Sequence, residues 1–89
     1  MPKVRIPTPL RPHAGGLDTV EAQGATVGEV LGNLGETYPA LRDRIFEGGE
    51  LRRFVNVYVN DEDIRYLGDL NTAVADEDEV SIIPAVAGG

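Results

Sequence analysis

Gly88 and Gly89 follow the apolar run Val80-Ser81-Ile82-Ile83-Pro84-Ala85-Val86-Ala87, and they carry the group in this chain best suited to chemistry. An α-carboxylate on a thin, unbranched stalk can enter a deep active site that excludes any side chain, and it can itself be the reacting group. From Pro84 to Gly89 an extended segment of about six residues reaches at most roughly 20 Å at about 3.3 Å per residue, enough to carry the terminus from a domain surface into a partner's pocket. Pro84 cannot donate to a sheet ladder, so the sheet should end there. Residues 1–84 are therefore expected to form the folded domain. Ala85, Val86, Ala87, Gly88 and Gly89 are expected to form a slim, flexible tail that enters partner active sites, with Gly89 as the reacting residue.

Other chemistries have less support. The chain has no cysteine, which excludes a thiolate nucleophile, a disulfide framework and a Cys-based metal site. His13 is the single histidine and has no Ser or acidic companion close in sequence, so it reads as a loop residue, and no metal site is expected. Asp76-Glu77-Asp78 lacks the glycine and distal glutamate of an EF-hand loop. No phosphate-binding glycine loop or nucleophile elbow is present. The internal pairs Gly15-Gly16 and Gly48-Gly49 read as turns.

Eighty-nine residues make one small domain with room for one sheet and one helix, and little room for a private catalytic cavity. The net charge of −7 argues against nucleic acid as a partner, because neutralising phosphates needs clustered Lys and Arg. Residues 61–79 hold eight acids against the single Arg65, which accounts for the whole imbalance. That stretch is either a set of solvated turns or a steering surface for a basic partner. Arg11, Arg42, Arg44, Arg52 and Arg53 are either solvated or paired with acidic patches on a partner enzyme. Met1-Pro2-Lys3-Val4-Arg5 lacks the long apolar stretch of a signal peptide, and no apolar run approaches a membrane span. The expectation is a soluble cytoplasmic protein with no membrane role.

The elements that must position the terminus follow from periodicity. Val4 and Ile6 alternate with Lys3 and Arg5 and predict a first strand. A long turn through Leu10-Arg11-Pro12-His13-Ala14-Gly15-Gly16 leads to a second strand within Leu17–Ala22, with Leu17 or Val20 joining Ala22 on the inner face. Thr26 and Glu29 have capping-box spacing and predict a helix start. Val27, Val30, Leu31, Leu34 and Tyr38 then form one apolar stripe that ends at Pro39. Gly28, Gly32 and Gly35 each cost the helix up to about 1 kcal/mol, and close approach of the helix to a sheet would explain them. Residues 40–46 predict a short extra helical turn, with Leu41 and Ile45 inward.

Phe54-Val55-Asn56-Val57-Tyr58-Val59 alternates cleanly, with the valines on one face and Phe54, Asn56 and Tyr58 on the other. A turn at residues 60–63, a short return strand at Ile64-Arg65-Tyr66, an irregular crossing at 70–74 and a last strand with Val80 and Ile82 inward complete the chain. Ile83 would then face outward beside Phe54 and Tyr58, and a contiguous patch of these three would be a partner-binding surface. The order predicts an α+β domain of the β-grasp, ubiquitin-like type: a mixed sheet of four to five strands, one main helix on one face, and the Gly-Gly tail.

The closing pattern Asp76-x-Asp78-x-Val80-x-Ile82-x-Pro84-x-Val86-x-Gly88-Gly89 resembles the C-terminus of the bacterial ThiS and MoaD sulfur carriers, relatives of ubiquitin. The resemblance covers nearly the whole chain. Residues 10–16, residues 53–63 and Ala85-Val86-Ala87-Gly88-Gly89 resemble the carriers that serve a protein-bound route to cysteine.

The resemblance implies a protein co-substrate rather than an enzyme, with no cofactor of its own. An adenylyltransferase of the ubiquitin E1 type would spend ATP to convert the Gly89 carboxylate into an acyl-adenylate. Sulfur from a persulfide or sulfide donor would displace AMP and leave a thiocarboxylate. In the cysteine route that thiocarboxylate would attack an aminoacrylate held on pyridoxal phosphate by a PLP-dependent cysteine synthase. An acyl shift would follow, and a metal-dependent peptidase would release cysteine. The alternatives within the resemblance are the small subunit of molybdopterin synthase, a carrier for thiamin or tRNA thiolation, and a ubiquitin-like protein modifier.

Overall fold

A computed structural model of the protein describes residues 1–84; the expected tail, residues 85–89, lies outside the described residues. Strand β1 (Lys3–Arg5) buries Val4 between two exposed basic residues, as its alternation requires. The link to β2 (Thr19–Glu21), predicted as a long turn, contains about two turns of 3₁₀ helix over Thr8–His13, which drop Leu10 into the core. Gly15 and Gly16 reverse the chain at φ of 66° and 78°, angles that penalise any residue with a Cβ. Val20 packs against the core and Ala22 is buried within it. Leu17 is 48% exposed, so of the two predicted inner-face residues Val20 is the one used.

Helix α1 (Val27–Thr37) begins where Thr26 predicts. The Thr26 hydroxyl accepts the Glu29 N–H at 3.2 Å, and the Glu29 carboxylate accepts the Ala25 N–H at 3.0 Å, one residue before the position a standard capping box would use. Val27, Val30, Leu31 and Leu34 are all buried, and Tyr38 packs against them. Each such side chain contributes about 1.5–3 kcal/mol by leaving water, which offsets the weak helix propensity of the glycines.

Those glycines are explained differently from the sequence expectation. A Cβ at Gly35 would lie 2.8 Å from the Cβ of Arg42, and one at Gly28 would lie 3.1 Å from the carbonyl oxygen of Leu70. The close approach is thus to a second helix and to a 3₁₀ turn that includes Leu70. Gly32 has open space around it.

The second helix, α2 (Pro39–Ile45), has the predicted length but starts one residue earlier, because Pro39 ends α1 and also starts α2, where its missing N–H costs nothing. Leu41 and Ile45 are buried, at 0% and 1% exposure. A tight hairpin, β3 (Phe46–Glu47) and β4 (Glu50–Leu51), turns on Gly48-Gly49 at φ of 62° and 83°.

Strand β5 (Val55–Val59) then leads through a turn at Asn60-Asp61 to β6 (Glu62–Asp63). The return strand is therefore Glu62–Asp63. Ile64–Tyr66, predicted as that strand, is a 3₁₀ turn capped by the Asp63 side chain. Ile64 turns into the core while Tyr66 stands 84% exposed, whereas a strand would set both on one face. A third 3₁₀ segment, Asp69–Asn71, carries the chain past the start of α1, where Val27 N–H donates to the Thr72 carbonyl and Val74 N–H to the Ala25 carbonyl.

The last strand, β7 (Glu79–Pro84), inserts at the centre of the sheet, giving the order β2-β1-β7-β5-β6. It runs parallel to β1 and antiparallel to β5. Val80 and Ile82 meet Val57, Val4 and the α1 stripe to form the core. A mixed five-stranded sheet with its main helix on one face and a central final strand is a ubiquitin-like β-grasp, as the element order predicts. Among the described residues no helix is long and apolar enough to cross a membrane.

Candidate functional site: the exit of the central strand

Strand β7 is hydrogen-bonded on both sides, so its direction is fixed by its neighbours. The β5–β7 ladder pairs Val59 with Val80, Tyr58 with Ser81, Val57 with Ile82, Asn56 with Ile83 and Val55 with Pro84. Because side chains alternate, Val57 and Ile82 face α1, while Asn56, Tyr58, Ser81 and Ile83 share the opposite face. The described part of β7 ends at Pro84.

Of the three residues predicted as a surface patch, Tyr58 and Ile83 share this outer face, and Phe54 lies in the turn that leads into β5. Phe54, in the turn just before β5, is 50% exposed and Ile83 is 46% exposed. Tyr58 is half-buried and sits diagonally across the ladder from Ile83, a separation of about 7–8 Å that aromatic side chains can bridge. The structure thus brings Phe54 and Ile83 to the exit and sets Tyr58 one step further back.

Tyr58 also pairs with Asp63 on β6. Asp63 is only 8% exposed, and its carboxylate takes the Arg65 guanidinium at 3.1 Å from Nε and 2.7 Å from Nη2, together with the Arg65 N–H at 2.9 Å. These bonds, first the side-chain pair and then the backbone bond, hold the Asp63 carboxyl below its ordinary value, and Asp63 in turn raises the Arg65 guanidinium. A buried carboxylate satisfied in this way fixes the exit from β6 rather than offering a reactive group. The sequence shows Asp63 and Arg65 only as members of an acidic stretch. Their pairing needs the 3₁₀ turn that sets them on one side.

A second feature becomes visible only in three dimensions. The end of α2 and the start of β5 converge on the end of β7, so Arg44, Glu47, Arg52, Arg53, Phe54 and Pro84 line one shallow groove of about 430 Å³. Arg52 is tied down, its Nε donating to the Asp43 carbonyl at 2.9 Å with Glu47 3.9 Å from Nη1. Arg44 and Arg53 are exposed and make no ion pair among the described residues. The other arginines noted in the sequence go elsewhere. Arg42 lies against Gly35, and Arg11 donates to the Ile6 carbonyl at 3.0 Å.

His13 ends the first 3₁₀ helix and is half-buried. Among the described residues no group of three or more His, Asp or Glu side chains is placed to hold a metal ion.

This chain's fold and sequence both have relatives. Sulfur carrier protein CysO of Mycobacterium tuberculosis is 53% identical over 89 residues, covering 97% of this chain and 96% of its own. The crystal structure of the Amycolatopsis orientalis BexX/CysO complex contains a chain that superposes with a TM-score of 0.93 at 47% identity, covering 100% of both chains. The crystal structure of Mycobacterium tuberculosis CysO gives a TM-score of 0.89 at 49% identity, covering 97% of this chain and 100% of that one. The model of the ThiS family matches residues 4–89, from inside β1 through the glycine pair, and the chain belongs to that family.

Proposed function

We propose that this protein is a sulfur carrier of the cysteine-forming type, a co-substrate whose reacting group is the Gly89 carboxylate. Near-full-length identity to a sulfur carrier is the observation that carries the reading, and β7 supplies the physical means. A carboxylate resists nucleophiles because its charge is delocalised. Adenylation by an E1-type enzyme replaces one oxygen's charge with AMP, a good leaving group, and releases pyrophosphate. Attack by sulfide then expels AMP and leaves a thiocarboxylate on Gly89. That anion is soft and nucleophilic, and it remains bound to a protein instead of diffusing away.

The domain's part is mechanical. Because β7 is the central strand, a pull or push on the segment beyond Pro84 is resisted by ladders on both sides, and the segment is presented from a fixed root. Phe54, Tyr58 and Ile83 give the partner an apolar seat at that root. Ala85, Val86, Ala87, Gly88 and Gly89 are slim enough to pass through a narrow channel. That a related carrier is found in complex with BexX supports docking as part of the working cycle. A PLP-dependent cysteine synthase is the acceptor in this proposal, ATP is spent by the activating enzyme, and a metal-dependent peptidase frees the product.

The test is a charging assay followed by transfer. With an E1-type adenylating enzyme, ATP and sulfide, intact mass should show the exchange of one oxygen for sulfur. Deleting Gly89 should abolish that exchange while leaving the circular dichroism spectrum unchanged. The charged form should then yield a cysteine adduct with the synthase and phosphoserine. Undiminished sulfur transfer by the Gly89-deleted chain would refute the proposal.

A further inference from the structure

The two ends of β7 carry opposite charge. At its start, Asp76, Glu77, Asp78 and Glu79 meet the β5–β6 turn, where Asn60 binds Asp78 and Glu79 and brings Asp61 and Glu62 alongside. At its end lies the groove of Arg44, Arg52, Arg53 and Phe54, three cations against the lone Glu47. The six residues of β7 separate the two ends by about 17 Å at about 3.3 Å per residue. At physiological ionic strength the Debye length is about 8 Å, so a surface docked at Pro84 senses the arginines and very little of the acidic end. The net charge of −7 therefore misdescribes what a partner meets at the exit.

We propose that Arg44 and Arg53, in one groove with Phe54, form a basic docking collar for an acidic rim around the entry channel of the adenylating enzyme. The inference rests on the proposed function, since it requires the segment beyond Pro84 to enter a partner. The collar and the acidic pole together make the domain a dipole whose positive end leads with the tail. An acidic channel mouth turns this end toward itself during encounter and repels the other. Phe54 lines the same groove and adds apolar contact that excludes water from the ion pairs. Arg52 keeps its bond to Asp43 and serves to hold the groove's shape.

The experiment uses the full chain, the adenylating enzyme and ATP, read by ATP–pyrophosphate exchange. Arg44→Glu with Arg53→Glu should raise the KM for the carrier about tenfold or more, leave kcat within about twofold, and flatten the salt dependence of kcat/KM. Arg44→Lys with Arg53→Lys should keep KM near the parent value. Lys3→Glu, which adds negative charge beside Glu79 at the acidic end, should leave KM unchanged. The Gly89-deleted chain should show no exchange.

An unchanged KM for the double glutamate variant, an equal rise for the acidic-end control, or a fall in kcat alone overturns the collar. Exchange by the Gly89-deleted chain overturns the proposed function instead, so the two failures are told apart. Both exposed arginines lie outside the core, and matching thermal transitions for all variants exclude unfolding as the cause.

Discussion

At its first residues β7 is tied into the domain, and at its last it is left open, although one strand makes both ends. Where β7 begins, the Asn60 N–H donates to Glu79 at 2.7 Å, the Asn60 side-chain amide reaches Asp78 at 3.1 Å and accepts from Glu79 at 3.0 Å, and Ala75 N–H donates to Asp78 at 2.8 Å. Where it finishes, Val55 and Pro84 are the last pair, and exposed Phe54, Ile83, Arg44 and Arg53 surround them. Anchoring at one end and exposure at the other is what a rigid launching strand needs. The tied end resists force along the strand, and the open end leaves a face for a partner to cover.

The ladder that both ends share carries the largest expected effect. Val57 is 1% exposed and pairs with Ile82 at the middle of that ladder. Val57→Asp buries a charge with no partner and should cost more than about 4 kcal/mol, much of what a small domain has to lose. Loss of the cooperative thermal transition in circular dichroism is the expected reading. A folded, cooperatively melting variant would mean that the two ends do not depend on a common strand.

The ends themselves should then separate. Asn60 sits at φ of 50°, so Asn60→Gly keeps the backbone free to adopt that angle while removing both side-chain hydrogen bonds. The expected cost is about 1–2 kcal/mol, read as a lower urea midpoint at constant m-value. Ile83→Thr, at the open end, keeps the β-branch and should change stability by about 0.5 kcal/mol or less. Equal costs at Asn60 and Ile83 would erase the distinction between a tied and an open end.

Much of this was legible in the sequence wherever one long-range partner, the core, decides the pattern. The 3.6-residue stripe from Val27 to Tyr38 and the alternation of Val55, Val57 and Val59 report burial directly, and parity alone sets Ile83 on the face of Tyr58. Ile64–Tyr66 misled because three residues cannot distinguish a strand from a capped 3₁₀ turn, and the Asp63 cap is a side-chain event with no periodicity. Gly28 and Gly35 pointed correctly to close approach but not to its object, since Arg42 and Leu70 reach them only after α2 and the crossing loop have folded back. The basic groove was hidden for the same reason. Arg44 and Arg53 are separated by the hairpin on Gly48-Gly49, and only its closure brings the end of α2 beside the start of β5. Gly89 lies outside the described residues, and its proposed role rests on chemistry and kinship.

The smallest predicted effect concerns charge at the tied end. The Ala75 N–H and then the Asn60 side-chain amide donate to the Asp78 carboxylate, favour its ionised form and hold it below its ordinary value of 3.8. In the unfolded chain both donors are lost, so the folded group ionises more readily than the unfolded one. Stability from this source is therefore complete above the unfolded value and drains away as pH falls through 3.8 toward the lower folded value. Asp63, held low by Arg65, shifts in the same direction, so the parent protein's acid sensitivity has two sources. Asp78→Asn isolates one of them, because the amide keeps an acceptor oxygen but cannot titrate. The difference in urea midpoint between parent and Asp78→Asn should hold steady from pH 7 to about pH 5 and narrow below about pH 4. A difference that stays flat through the acid range would show that the tied end is closed by neutral hydrogen bonds alone, and that the acidic pole contributes to steering but not to the fold.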